Sequence, residues 1–145
     1  MRKVIPRRSR VIPNQSHSIP KKPRQRRNHP EHDQQCLFVD WMRYLYPKIK
    51  VMASGNGAPL TAFQKHWMVR EGMLKGAADL FIIYPSRGFY GLFIEMKSKK
   101  GKISPEQLEF MDYVRSHNFK GEFAWSYEEA KKIFLEYING SQPTT

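Results

Sequence analysis

The chain has 145 residues, with 25 Lys/Arg against 13 Asp/Glu, a formal net charge of +12 and a pI near 10.0. That length holds one domain, or one domain plus a tail, and that charge points to a polyanionic partner. One cysteine, Cys36, excludes a disulfide framework and a Cys/His zinc pattern. No apolar run approaches the ~18 residues of a membrane span, and the N-terminus lacks a secretory core, so a reducing, cytoplasmic setting is expected.

The charge is uneven. Residues 1–28 hold ten of the Lys/Arg and no Asp or Glu, with Pro6, Pro13, Pro20, Pro23 and Pro30 spaced along them and just beyond. Residues 1–29 therefore read as an arm that buries too little to fold alone. Arg7, Arg8, Arg10, Lys21, Lys22, Arg24, Arg26 and Arg27 suit contact with nucleic-acid phosphates through counterion release. A solubilising tail or a localisation signal is the alternative.

A folded domain is expected over 30–140, with a frayed tail at 141–145. From His32 to Tyr46 there is no Pro or Gly. Leu37, Trp41, Tyr44 and Leu45, widened by Phe38, recur at helical spacing, and Pro47 stops the helix. Glu31 lies at its N-terminus, where the macrodipole favours an acid, and Gln35 follows one turn on. Val51–Ala53 reads as a short strand and Ser54–Pro59 as a turn-rich loop. Leu60–Leu74 reads as a helix with Leu60, Phe63, Trp67 and Leu74 inward. Lys65, His66 and Arg70 lie beside Trp67 and could touch DNA, but a core role is the plainer reading of that tryptophan.

Two apolar runs, 77–84 and 89–97, flank Pro85-Ser86-Arg87-Gly88, a hairpin signal. Alternation puts Leu92, Ile94 and Met96 on one face and Glu95 and Lys97 on the other. Asp79 begins the partner strand. Asp79 and Glu95 offer hard oxygens to Mg²⁺ or Mn²⁺, the Met96 carbonyl could add a third, and Lys97 would stand beside the metal. Charges that protect an exposed edge strand are the competing explanation.

Ser98–Lys102 is a basic turn near that site, carrying Lys99, Lys100 and Lys102. Ser104 with Pro105 and Gln107 forms a capping box that opens a helix with Leu108, Met111 and Val114 inward. Glu122–Trp125 reads as a strand. Ser126 with Glu129 forms a second capping box, opening a helix with Ala130, Ile133, Phe134, Tyr137 and Ile138 inward, and Asn139-Gly140 ends it. The order of elements predicts an α/β domain with a mixed sheet flanked by helices.

Four segments together resemble the VRR-NUC nucleases, the virus-type replication–repair branch of the PD-(D/E)xK superfamily. They are Glu31-x-x-x-Gln35, Gly76-x-x-Asp79, Gly91-Leu92-Phe93-Ile94-Glu95-Met96-Lys97 and Gly101-Lys102-Ile103-Ser104-Pro105-Glu106-Gln107. The resemblance runs from Glu31 to Ile138. It implies a restriction-endonuclease-like core and Mg²⁺- or Mn²⁺-dependent cleavage of DNA phosphodiesters, with no organic cofactor. It implies that Asp79 and Glu95 are metal ligands and Lys97 the catalytic lysine. Gln107 would be the additional polar residue, and Glu31 would complete the site as ligand or water-orienting acid. Ala78 departs from the proline usual before the aspartate. Ser54-Gly55-Asn56-Gly57 resembles the family's Asn-Gly loop, without the arginine often found after it.

Free-standing members of that family behave as dimeric Holliday-junction resolvases, so the resemblance implies a homodimer acting on branched DNA in a phage or bacterial-type host cytoplasm. The alternatives are a nicking, end-processing or restriction-type enzyme on the same fold, and a non-catalytic basic nucleic-acid-binding protein.

Overall fold

Pro30 opens α1 (Pro30–Leu45) of a computed structural model that describes residues 30–55 and 59–140. The basic arm, the tail at 141–145 and positions 56–58 of the Asn-Gly loop lie outside the described residues. α1 is followed by β1 (Lys50–Ala53), α2 (Ala62–Arg70), β2 (Leu80–Ile83), β3 (Leu92–Met96), α3 (Pro105–Ser116), β4 (Lys120–Ala124) and α4 (Tyr127–Asn139). The strands form one sheet in the order β1-β2-β3-β4. β1–β2 and β2–β3 are antiparallel, and β3–β4 is parallel, with α3 supplying the crossover that a parallel pair needs. The mixed α/β architecture expected from the element order is present.

The two faces of the sheet are filled differently. Leu80 and Ile82 of β2 and Leu92, Ile94 and Met96 of β3 face α1 and α4, where Phe38, Met42, Ala130, Phe134 and Tyr137 close the main core. Phe134 is its centre, with the rings of Trp41 at 5.8 Å and Tyr46 at 5.0 Å, both edge-on, a geometry that favours the ring quadrupoles. Across the sheet, Phe93 stacks on its register partner Phe81 at 4.3 Å and packs with Phe110, Phe119 and Phe123 over Met111 and Val114 of α3. The odd positions along β3 thus begin as aromatic core at Phe93 and turn to charge at Glu95 and, just past the strand, Lys97.

Four sequence expectations change. α1 presents Phe38 and Met42, one residue on from the expected stripe, and leaves Leu37, Tyr44 and Leu45 exposed. Phe38–Met42 and Leu37–Trp41 are both i,i+4 pairs, and the first carries Trp41 and Tyr46 into the Phe134 cluster. α2 is shorter than 60–74 and buries none of its residues. It stops where Gly72, at φ +107, closes a Schellman turn through Gly72 N to Val69 O and Met73 N to Met68 O. Trp67 is accordingly an exposed side chain, with the Arg70 guanidinium 5.5 Å from its ring. Leu108 is exposed on α3, while Met111 and Val114 are buried as expected. At α4 the Ser126 hydroxyl accepts from Glu129 N, but Glu129 accepts from Trp125 N instead of the cap residue, so only half of that box forms.

Candidate active site

The C-terminal ends of β3 and β4 point to one edge of the molecule, and the polar residues singled out in the sequence gather there. β3 delivers Glu95 and Lys97 on the α3 side, with only 4% and 7% of their surface exposed. Such burial is rare for charged side chains unless they are paired. The loop entering β2 delivers Asp79. Gly76 lets that loop reach α3: its φ is +81, and a Cβ there would stand 2.5 Å from the Glu106 carbonyl oxygen.

Hydrogen bonds knit the corner. Met96 N donates to Asp79 Oδ2 at 2.9 Å, and Asp79 N donates to Glu95 Oε2 at 3.2 Å. The hairpin strands thus exchange side-chain as well as ladder bonds at their open end. Lys97 Nζ lies 3.2 Å from Glu95 Oε1 and donates to Gln107 Oε1 at 2.6 Å. The Gln107 amide nitrogen donates to the same Glu95 oxygen. Gln107 also performs the capping role read from the sequence: its Oε1 accepts from Ser104 N at 3.0 Å, and its N donates to Ser104 Oγ at 3.2 Å.

Burial, then the charge of Asp79, push the Glu95 carboxyl up to about 7, against the pull of Lys97. Burial also pushes Asp79 up, opposed by the Met96 N–H and Lys97 and reinforced by the charge of Glu31. Two acids in one desolvated corner with a single ammonium carry surplus negative charge when both ionise. The donor set consists of hard carboxylate oxygens, with the Met96 peptide between them. It fits Mg²⁺ or Mn²⁺ and does not suit a soft metal.

Glu31 reaches the same edge from α1 but is turned to the β3–α3 loop, where its Oε1 accepts from Ser98 N at 2.8 Å. Among the described residues no three His, Cys, Asp or Glu side chains converge as a metal-holding group. Asp79 and Glu95 therefore form a pair, with Glu31 beside them. Gln35 is half-buried one turn along α1. Lys99, Lys100 and Lys102 are exposed on the loop after β3. Arg7, Arg8, Arg10, Lys21, Lys22, Arg24, Arg26 and Arg27 lie outside the described residues.

A cleft of about 580 Å³ opens beside Lys97, lined by Pro30 and Gln34 of α1, Lys97–Lys100, and Trp125 and Ser126. Gln34 anchors its far wall, its Oε1 accepting from Tyr127 N at 2.8 Å. Neither Gln34 nor Trp125 stood out in the sequence. The usable signal was register: with Glu95 opposite Phe123 and Met96 opposite Ala124, the next pair along is Lys97 and Trp125.

Comparison with known proteins agrees with this architecture. The sequence profile of the VRR-NUC domain matches residues 14–127. A solved structure described as a VRR_NUC domain protein superposes with a TM-score of 0.62 at 18% identity, covering 81% of this chain and 99% of its own. Another, described as a VRR_NUC domain, gives a TM-score of 0.52 at 23% identity, covering 76% and 99%. No curated protein matches the sequence. The fold is the restriction-endonuclease-like α/β core.

Proposed function

The chain belongs to the VRR-NUC family of nucleases, and from that premise we propose that it is an Mg²⁺- or Mn²⁺-dependent endodeoxyribonuclease acting on branched DNA as a homodimer. The observation that carries this reading is the buried corner itself. Asp79 and Glu95 are linked through the Met96 peptide and the Asp79 N–H, and Lys97 is clamped by Glu95 and Gln107.

A phosphodiester resists attack because nucleophile and phosphate are both anionic. Asp79 and Glu95 would hold the metal, which when bound neutralises the phosphate and lowers the pKa of a coordinated water. Lys97 Nζ, held by two acceptors, keeps a third proton for a further partner, and its side chain lines the neighbouring cleft. That ammonium orients the attacking water and steadies charge developing on the phosphate. Gln107 fixes Lys97 and Glu95 in one geometry. Glu31 holds Ser98 and so sets the path of the loop carrying Lys99 and Lys100 past the DNA backbone.

Dimerisation is supported by α2. Phe63 is 70% and Trp67 47% exposed, with Val69 and Leu74 exposed beside them, on a helix with no buried residue. Large apolar groups clustered in this way mark an interaction surface. A two-fold dimer supplies the two sites that paired incisions need.

The test is cleavage of linear, nicked, flapped and four-way DNA with Mg²⁺, Mn²⁺ or EDTA. The expected result is junction cleavage that is abolished in EDTA and in Asp79→Ala, Glu95→Ala and Lys97→Ala. Full activity in EDTA would overturn the reading, and equal cutting of junction and linear duplex would replace it with a general nuclease.

A further inference from the structure

We propose that the cleft lined by Pro30, Gln34 and Trp125 is a nucleobase subsite, which receives one unstacked base of single-stranded DNA beside the phosphate engaged by Lys97. This deepens the nuclease reading and rests on it for the identity of the strand.

The first argument is position. The cleft lies outside the carboxyl ends of the parallel strands β3 and β4, the place where open α/β sheets bind ligands. Lys97 lines the cleft and also belongs to the acid–lysine corner, so one side chain borders both spaces. A nucleotide whose phosphate meets Lys97 has its base within reach of Trp125.

The second argument is chemistry. Trp125 is a part-buried indole that lines the cleft, and Pro30 lines it as a second apolar group. Lys99 and Lys100 stand exposed at the rim. An aromatic platform bordered by cations is the arrangement on which single-stranded bases stack while their phosphates are neutralised. The volume of about 580 Å³ is enough for a single nucleotide. Gln34 Oε1 and Ser126 Oγ each already accept one bond, from Tyr127 N and Glu129 N. Stacking on an aromatic ring with phosphate neutralisation by lysines is tolerant of sequence, so the subsite takes any base.

The arm is a poor occupant by comparison. It precedes Pro30, which lines the cleft, but holds ten Lys/Arg, the same sign of charge as Lys97, Lys99 and Lys100. Like charges disfavour that docking.

The experiment uses the full chain in EDTA, where binding is read without cleavage. Single-stranded oligonucleotides carry one abasic position, moved stepwise along the strand. For the wild type, affinity should fall about tenfold when the abasic position coincides with the subsite, the loss expected for one stacked base. Trp125→Ala should lose about the same and become insensitive to abasic position, whereas Trp125→Phe retains most of the affinity. The four bases at that position should bind alike. The abasic scan uses unaltered protein, so a folding defect in Trp125→Ala cannot mask the answer. A flat scan in the wild type, or an equal abasic penalty in wild type and folded Trp125→Ala, overturns the subsite. Tighter binding by the wild type after deletion of residues 1–28 assigns the cleft to the arm instead and equally overturns it. The parent reading fails separately: a chain that never cuts with Mg²⁺ yet keeps the abasic penalty has the subsite without the nuclease.

Discussion

Gln107 holds three groups with one amide: the backbone of Ser104, the ammonium of Lys97 and the carboxylate of Glu95. Helix capping and site geometry are thus joined in one side chain, and mutation can separate them. Ser104→Ala removes only the cap oxygen and should cost about 1 kcal/mol of stability while leaving cleavage near the wild-type rate. Gln107→Ala removes the reciprocal bond as well as the clamp on Lys97, and should lower the cleavage rate by about 10²-fold, the scale of a misplaced acid–base group. Chemical denaturation paired with single-turnover cleavage checks both. A similar rate loss in the two variants would make Gln107 a cap alone.

Glu95 gives a pH dependence of definite sign. Its folded pKa of about 7 lies above the ordinary 4.5, so the folded state binds more protons than the unfolded chain. The associated stability is fully present below about 4.5 and is lost as pH rises through about 7. Metal-free protein should therefore melt lower at about pH 8 than at about pH 5. Glu95→Gln should flatten that fall, and Mg²⁺ at the higher pH should raise the melting temperature of the wild type more than that of Glu95→Gln. Calorimetry measures all three.

At the scale of elements, the approach of the β2 entry loop to α3 depends on Gly76. Gly76→Ala forces a positive φ on a Cβ that would lie 2.5 Å from Glu106 O, and backbone on both sides limits relief. It should cost about 1–3 kcal/mol and move Asp79 away from Glu95, lowering metal affinity as well as the melting temperature. Calorimetry and a metal titration of the variant read the two effects separately.

The hairpin, the α3 cap and the alternation of β3 were legible in the sequence because each is local: turn residues, a four-residue box and a period of two. The relation of Glu95 to Lys97 followed from the same alternation. What was not legible depended on partners far along the chain. Which of two overlapping apolar stripes on α1 turns inward is decided by Phe134, 96 residues beyond Phe38 in the numbering. The cleft needs Gln34 and Trp125 together, and no local pattern joins them. The length of α2 was a different case: its end is local, at Gly72 with its positive φ, but the apolar spacing of Leu60, Phe63, Trp67 and Leu74 runs across that glycine.

At the scale of the whole molecule, charge and assembly act on the same substrate. Deleting residues 1–28 should leave the domain folded and reduce the slope of log K against log salt by about 0.9 for each phosphate that the arm neutralises. An unchanged slope on DNA titration would remove the arm from the interface. Trp67→Ser and Phe63→Ser alter exposed positions on α2. They should shift sedimentation toward monomer and suppress paired incisions, with little change in melting temperature of the monomer.

The bond from Tyr127 N to Gln34 spans 93 residues, joining the first helix of the domain to the last. During synthesis, α1 leaves the ribosome early and waits. The hairpin and α3 carry Asp79, Glu95, Lys97 and Gln107, and all four are made before β4 and α4. Trp125 and the anchor for α1 arrive only with the last segment of the domain. A partly made chain can therefore own its acids and its lysine while the wall that receives a strand is still missing. The cleft is therefore complete only when the last helix of the domain has been made.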